Sequence, residues 1–202
     1  MILAIDTSTA NCSAALFDAS GACIASRDEL IGRGHAERLV PMIEEMLAGK
    51  SVRTILVGVG PGSFTGLRVG IAAAHGLAIG WGASLQGLSS LALLAAIEER
   101  PGPVAAAMAG GHGELFVQQF GDLLEPVTAV LNLPPTAAAE AISARRVVGP
   151  AAAQLVESRG WGEPVECWPS AANALLLPES LRGLEAKPFY ARAPDARVRS
   201  AA

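Results

Sequence analysis

The sequence is poor in aromatic residues and rich in small apolar ones. Phe, Trp and Tyr account for 4% of the 202 residues, whereas hydrophobic residues as a whole account for 51%. The core is therefore predicted to consist mainly of Ala, Val, Leu and Ile, with helices that pack closely through small side chains. This apolar content excludes an intrinsically disordered chain, and the length is sufficient for a core without disulfides or metals.

The sequence also lacks the motifs of metal centres and of hydrolases. The cysteines and histidines are Cys12, Cys23, Cys167, His35, His75 and His112. They form neither Cys-x-x-Cys nor His-x-x-x-His, so we expect no disulfide framework and no metal site. A Gly-x-Ser-x-Gly elbow is absent as well. We therefore predict no catalytic residue and no cofactor.

The charge balance bears on possible partners. Fifteen Lys and Arg residues oppose 19 Asp and Glu residues, which gives a net charge of −4. Such a chain is not expected to hold nucleic acid by neutralising phosphates, and its few aromatic residues do not form a stacking platform. Contact with RNA is thus expected only indirectly, through a partner. A tail that contains Arg192, Arg197 and Arg199 is the alternative that we keep open.

No segment is typical of a membrane span or a secretory signal. The most apolar stretch, residues 69–85, carries His75 and four glycines and is shorter than the roughly 20 apolar residues that a span requires. The chain starts with four apolar residues after Met1 and then Asp6, without a basic leader. We predict a cytoplasmic protein with no membrane contact.

Hydrophobic periodicity predicts an α/β chain in two parts. Strands are predicted over residues 2–5, 12–18, 22–30, 55–59, 104–108 and 114–120, with shorter ones near 145–148 and Val165. Helices are predicted over residues 35–48, 66–80, 88–99, 137–144, 151–159 and 171–182. Arg100-Pro101-Gly102-Pro103 is typical of a linker, so we place a domain boundary there, with domains at 1–100 and 101–202.

A weak internal repeat suggests that the two parts are copies of one α/β unit. Aligning residues 3–6 with residues 106–109 places Ala109 opposite Asp6. On this alignment, the second copy lacks the carboxylate of the first.

The first candidate site is the turn that contains Asp6, Thr7 and Ser8. A carboxylate and hydroxyls follow a buried strand here, at the position where open α/β sheets bind ligands. The turn could hold a nucleotide, but Ser8 stands where glycine would let the backbone approach a phosphate. A turn in which Asp6 and the hydroxyls satisfy backbone groups is an equally good interpretation.

The second candidate is the glycine-rich loop over residues 60–66. Backbone amides around Gly62, together with Ser63 and Thr65, could cradle an anion at a helix start. The lysine of a Walker A loop is absent, and the spacing does not fit Gly-x-Gly-x-x-Gly. A tight turn with an N-cap is the structural alternative.

Three segments together resemble one family. Residues 2–8, 35–41 and 60–70 are similar to the TsaB (YeaZ) family, the non-catalytic subunits of the bacterial machinery that makes the threonylcarbamoyl modification on adenosine 37 of tRNAs. The likeness covers roughly residues 1–97, and the second half matches only at Gly113-Glu114 and around Tyr190. The resemblance implies an α/β fold with two actin-like (ribonuclease-H-like, ASKHA) lobes, the second one reduced.

The resemblance also implies a role and partners. The chain would be a scaffold for the catalytic relative TsaD in a heterodimer, with TsaE as an ATPase partner, and would form a homodimer when TsaD is absent. The metal-binding histidines of TsaD would fall on Ser90 and Leu94, neither of which can replace imidazole. One departure is Ala109-Gly110-Gly111, where the family usually has Asp-Ala-Arg.

The resemblance and the helix patterns converge on a protein interface. We expect the amphipathic helix over residues 35–48 and the glycine-striped helix over 66–80 to offer one face to the partner. Its predicted residues are His35, Glu37, Arg38, Met42, Gly66, Arg68, Gly70 and Ala74. The alternative is that these small residues pack against the chain's own sheet. For the function as a whole, the alternative is an actin-like ATPase or kinase, or an M22-type metallopeptidase, that acts alone.

Overall fold

A computed structural model describes residues 1–97 and 102–190 of the chain. The first half contains β1 (Ile2–Asp6), β2 (Asn11–Phe17), β3 (Cys23–Leu30), α1 (His35–Leu47), β4 (Thr54–Gly60), α2 (Phe64–Trp81), β5 (Ser84–Ser89) and α3 (Ser90–Ala95). The second half contains β6 (Val104–Ala109), β7 (Leu115–Phe120), β8 (Leu131–Leu133), α4 (Pro135–Ala141), β9 (Arg146–Val148), α5 (Ala152–Arg159), β10 (Glu163–Val165) and α6 (Glu179–Arg182). The predicted boundary at residue 100 and the tail arginines Arg192, Arg197 and Arg199 lie outside the described residues.

The two halves build sheets of the same topology. The first sheet has the order β3-β2-β1-β4-β5, and the second has the order β10-β9-β6-β7-β8, which is the same order with each strand five numbers higher and the list reversed. In each sheet the first three strands are antiparallel and the last two run parallel to the first. The predicted duplication and the two-lobe actin-like α/β fold are therefore confirmed.

The second lobe is the smaller one, as predicted. β8 has 3 residues where β3 has 8, and α4 has 7 residues where α1 has 13. Shorter helices cover less of a sheet, so the second lobe has a smaller apolar core of its own.

The repeat corrects the register that the sequence alignment suggested. Ala4 packs in the core between the two sheets, and in the second lobe Ala106 and Met108 pack there, whereas Ala107 points to the outer face. Because side chains alternate along a strand, Asp6 shares its face with Met108 and not with Ala109, so the alignment was wrong by one residue. No carboxylate occupies the equivalent position in either register.

The two lobes share one core around α3. Its buried residues come from both sheets, from α3 and from the 3-10 helix Ala171–Leu176. The outer face of the first sheet is covered by α1 and α2, and the outer face of the second by α4 and α5. Within residues 1–97 and 102–190, no helix combines the length and apolar character that a membrane span requires.

Two predicted helices were wrong in part. The segment that begins at Leu88 was expected to be helical, but it continues β5 to Ser89, because the strand pairs in parallel with β4. The helix predicted over 171–182 divides into a 3-10 helix and the short α6, since Pro178 interrupts it. β8 was missed because three residues carry too little periodicity.

Candidate functional site

The Asp6 carboxylate is enclosed by hydroxyl donors at the end of β1. Its Oδ1 accepts hydrogen bonds from the Ser8 backbone N–H at 2.9 Å and from Ser8 Oγ at 2.6 Å. Its Oδ2 accepts a hydrogen bond from Ser90 Oγ at 2.7 Å, across 84 residues of sequence. Asp6 is 1% exposed and Ser90 is fully buried. Both carboxylate oxygens are therefore engaged within the chain.

The packing around this carboxylate leaves no room for a side chain at the neighbouring position of β4, Gly58. A Cβ atom at Gly58, on the adjacent strand β4, would lie 2.0 Å from Asp6 Oδ2. Burial raises the pKa of Asp6 above its ordinary value of 3.8, and the hydrogen bonds from Ser8 and Ser90 partly offset this rise. The group is thus a desolvated acid inside a close-packed layer.

The turn after β1 is held against the start of α2. Thr7 Oγ1 donates a hydrogen bond to the Gly66 carbonyl oxygen at 2.8 Å, and the Ser63 backbone N–H donates to the Ser8 carbonyl oxygen at 2.7 Å. A Cβ atom at Gly62 or Gly66 would collide with the turn, at 2.3 Å from the Ser8 carbonyl oxygen and 2.1 Å from that of Thr7. The two predicted loops therefore form one packed unit.

The glycine loop ends in an N-cap at Ser63, the structural alternative to an anion cradle. Ser63 Oγ accepts a hydrogen bond from the Gly66 backbone N–H at 3.3 Å, which caps α2. Ser63 and Thr65 are exposed, whereas Asp6, Thr7 and Ser8 are buried behind them. The predicted nucleotide residues are thus brought close in the fold, but they do not surround one open cavity.

A cavity lies beside this loop, between α1 and α2. Its volume is about 540 Å³, and its lining includes Arg33, His35, Glu37, Ser63 and Thr65. His35 is buried, with Nε2 at 3.3 Å from the Asn11 carbonyl oxygen. The opening joins residues of the predicted anion loop to residues of the predicted partner face.

Most residues of the predicted partner face are buried within the first lobe. Met42 and Ala74 are fully buried under the first sheet, and Gly66 and Gly70 lie against Thr7. A Cβ atom at Gly70 would lie 2.3 Å from Thr7 Oγ1. The small residues Gly66, Gly70 and Ala74 of α2 therefore pack inside the chain's own lobe, the glycines against the turn at Thr7 and Ala74 under the first sheet.

The remaining residues of the predicted partner face differ in their solvent exposure. His35 is also buried, while Glu37 and Arg68 are exposed. Arg38 is partly exposed, and its guanidinium contacts Glu29 at 2.6 Å and Glu45 at 2.7 Å.

A second row of small residues occupies the outer side of α2. Ala72, Gly76 and Gly80 recur every four residues and are exposed, and no atom lies within 4 Å of a Cβ built at either glycine. Ile79, beside them, is 84% exposed. Val40 on the neighbouring α1 is 39% exposed. We call this surface, made of Val40, Ala72, Gly76, Ile79 and Gly80, the outer α1–α2 face.

A segment that closes this lobe was not among the predicted elements, although the family match around Tyr190 falls within it. Residues 184–190, which we call the C-terminal strap, return from the second half to β5 and α2. Leu184 and Gly87 exchange two backbone hydrogen bonds, and the Phe189 backbone N–H donates to the Val59 carbonyl oxygen at 2.8 Å. Tyr190 OH accepts a hydrogen bond from Arg68 Nε at 3.2 Å. No local sequence pattern predicts this pairing, because it joins segments that are far apart in the sequence.

The positions aligned with the TsaD histidines face the shared core. Ser90 and Leu94, four residues apart on α3, are fully buried. Ser90 bonds Asp6, and Leu94 lies beside Gly149. Within the described ranges 1–97 and 102–190, no group of three or more His, Cys, Asp or Glu side chains is placed to hold a metal ion.

Two repeated lobes of this topology, joined through a central helix, define an actin-like α/β protein. Residues 25–169 match the model of the family described as "TsaD: tRNA N6-adenosine threonylcarbamoyltransferase". The structure of YeaZ from Pseudomonas aeruginosa is 31% identical, with a TM-score of 0.78 over 94% of this chain and 98% of that one. The chain belongs to the TsaB (YeaZ) family, which confirms the resemblance in its sequence motifs.

Curated relatives with the name TsaB align with this chain over part of their length. The "tRNA threonylcarbamoyladenosine biosynthesis protein TsaB" of Escherichia coli (strain K12) is 37% identical over 127 residues, which cover 59% of this chain and 54% of the relative. The protein of that name from Haemophilus influenzae is 41% identical over 99 residues, or 46% of this chain and 41% of the relative. The chain thus matches about half the length of these curated relatives.

Proposed function

We propose that this chain takes part in threonylcarbamoyladenosine biosynthesis on tRNA, as a subunit that carries out no chemistry itself. Its membership of the TsaB (YeaZ) family supports the pathway, since curated members are named for it. The catalytic step belongs in this proposal to a TsaD partner, which transfers the threonylcarbamoyl group to N6 of adenosine 37.

The closed Asp6 turn is the observation that carries the non-catalytic assignment. In actin-like proteins a carboxylate at this strand end would need a free oxygen to hold a magnesium ion beside a phosphate. Here Ser8 and Ser90 occupy both oxygens, and glycine packing at Gly58 seals the carboxylate from solvent. The equivalent strand of the second lobe supplies Met108, which has no ligand atom for magnesium.

The α3 helix supports the same assignment. If TsaD binds its metal through two histidines on the corresponding helix, this chain has Ser90 and Leu94 there, and both are committed to internal packing. A hydroxyl donor to a carboxylate and an aliphatic side chain cannot replace two imidazole ligands.

The outer α1–α2 face is the surface that we assign to the partner. It replaces the predicted face, whose Gly66 and Gly70 pack against Thr7, and of the earlier residues Glu37 and Arg68 remain exposed on the same two helices. Small residues at Ala72, Gly76 and Gly80 allow the backbone of another helix to approach closely, and Ile79 offers an apolar contact. TsaD would cover this face in a heterodimer, and a second copy of the chain would cover it when TsaD is absent. TsaE would join the assembled pair.

The test is a complementation experiment, in which this chain is expressed in bacterial cells depleted of their own TsaB protein. Wild-type protein is expected to restore threonylcarbamoyladenosine, measured by mass spectrometry of tRNA nucleosides, and to co-purify with TsaD. Ala72→Arg and Gly76→Arg are expected to abolish both, with an unchanged melting temperature. Ala153→Arg, on the exposed side of α5, is the matched control and should behave as wild type. Failure of the wild-type chain to restore the nucleoside would refute the proposal.

The alternative, an ATPase, a kinase or an M22-type metallopeptidase that acts alone, has less support, since the Asp6 turn is closed. ATP hydrolysis by the purified chain that disappears in Asp6→Asn would reverse this ranking.

A further inference from the structure

A cavity opens at the end of the first sheet opposite to Asp6. Its volume is about 1110 Å³. Ile2 and Thr54, the first residues of the parallel strands β1 and β4, lie in its wall together with the turn between β2 and β3. Asp6 ends β1 at the far side of the sheet, so this cavity is separate from the site described above.

Three cationic side chains line this cavity. Lys50 and Arg53 belong to the segment between α1 and β4, and Arg182 ends α6. Within residues 1–97 and 102–190, none of the three side chains forms an ion pair or a hydrogen bond. The Arg53 backbone is fixed, because its N–H donates to the Met1 carbonyl oxygen at 3.0 Å and its carbonyl oxygen accepts from the Ser84 N–H at 2.9 Å.

One carboxylate, Asp18, shares the lining. Its Oδ1 accepts hydrogen bonds from the Ser20 backbone N–H, from Ser20 Oγ and from the Ala22 backbone N–H, at 2.8, 2.6 and 3.1 Å. The hydrogen bonds from Ser20 lower the pKa of Asp18, so it is ionised at neutral pH. Among the lining side chains, three cations against one anion give a charge of +2, in a chain whose formal net charge is −4.

The shape and lining of the cavity decide between kinds of anion. Pockets for small molecules have volumes of roughly 300–1,000 Å³ and mostly apolar walls that contact the ligand on many sides. This cavity is larger, most of its lining side chains are polar, and no aromatic residue lines it. Exposed Lys and Arg side chains without a stacking surface are typical of contact with a nucleic-acid backbone and not with bases.

We infer that this cavity binds the phosphate backbone of RNA. Resting on the proposed function, the RNA is the tRNA that the complex modifies, and Lys50, Arg53 and Arg182 each contact a phosphate. The chain would then help to place tRNA directly, in contrast to the indirect role that its overall acidity predicted.

The test measures binding of the full chain to a fluorescent, unmodified tRNA transcript by anisotropy, from 50 to 200 mM salt. Lys50→Gln combined with Arg53→Gln is expected to weaken binding on the order of 10-fold and to reduce the salt slope by about 2, or about 1 per phosphate contact. Arg27→Gln combined with Arg145→Gln removes the same charge from exposed positions outside the cavity and is expected to leave the slope almost unchanged. Arg182→Gln is a second, independent variant.

Equal behaviour of the two double variants would overturn the inference, and so would undetectable tRNA binding by the wild type at 50 mM salt. Inorganic phosphate is the competing probe. If cavity variants lose phosphate binding while their tRNA affinity is unchanged, the cavity is a site for a small anion and the inference is again overturned.

The proposed function fails by a different result. A wild-type chain that does not restore modified tRNA in depleted cells refutes the function, whatever its affinity for RNA. A wild type that restores the nucleoside, with cavity variants that bind tRNA as tightly as wild type, refutes only the RNA site.

Discussion

At the scale of single residues, the glycines of α2 perform opposite tasks on its two sides. Gly66→Ala and Gly70→Ala are expected to destabilise the protein by about 1–3 kcal/mol, because the added Cβ would lie 2.1 and 2.3 Å from oxygen atoms of Thr7. Gly76→Ala and Gly80→Ala, on the open side, are expected to stabilise it by about 0.4–1 kcal/mol. Urea unfolding checks all four variants, and destabilisation of equal size on both sides would contradict the packing described.

Asp6 gives the stability of the protein a distinctive dependence on pH. Because burial raises its folded-state pKa above 3.8, the folded protein binds this proton more tightly than the unfolded chain. The stability contributed by the Asp6 carboxyl is therefore complete below pH 3.8 and is lost as pH rises through the raised pKa. Asp6→Asn cannot ionise, so its unfolding free energy relative to wild type is expected to rise with pH.

Asp18 provides the control of opposite sign. The hydrogen bonds from Ser20 lower its pKa below 3.8, so its contribution is present above that value and is lost as pH falls through the lowered pKa. Asp18→Asn should therefore lose stability relative to wild type as pH rises. Chemical denaturation at a series of pH values measures both variants, and a difference for Asp6→Asn that is independent of pH would show that the carboxyl is not desolvated.

At the scale of elements, the C-terminal strap protects the open edge of the first sheet. β5 is the last strand in that sheet, and Leu184 pairs with it through Gly87. Truncation after Gly183 removes three backbone hydrogen bonds and the buried Ala186, a loss of about 3 kcal/mol, or about 6–12 °C in melting temperature. Calorimetry measures this shift.

Truncation after Tyr190 is the matched control, because it retains the whole strap. The shorter protein is also expected to aggregate through the exposed β5 edge, which light scattering detects. If both truncated proteins melt at the same temperature, the strap does not stabilise the lobe.

Elements were predictable from the sequence where their pattern is local and long. Alternation and helical spacing predicted β1 to β4, α1 and α2, because each buries one continuous face. The end of β5 at Leu88 and Ser89 and the 3-10 helix Ala171–Leu176 were predicted as α-helix, because short apolar runs fit both periods. The hydrogen bond that closes the site joins Asp6 and Ser90, which are 84 residues apart in sequence, and no local pattern encodes it.

At the scale of the whole molecule, the net charge of the chain does not show where charged side chains come together in the fold. The net charge of −4 excluded a basic surface, yet Lys50, Arg53 and Arg182 meet at one cavity because the chain returns to its first lobe. The weak internal repeat likewise becomes plain only as two sheets of the same strand order. Family motifs predicted the two lobes, while the identity of the surface residues depended on which side of α2 faces inward.

The glycines on two sides of α2 couple the turn at Thr7 to the outer α1–α2 face. Gly66 and Gly70 carry no side chain toward Thr7, and Gly76 and Gly80 carry none toward the outer α1–α2 face. A partner helix on that face could therefore approach to about 8–10 Å from the axis of α2. The turn at Thr7 presses on the opposite side of the same helix. A displacement of that turn would therefore shift the backbone of α2, on whose other side the partner would rest.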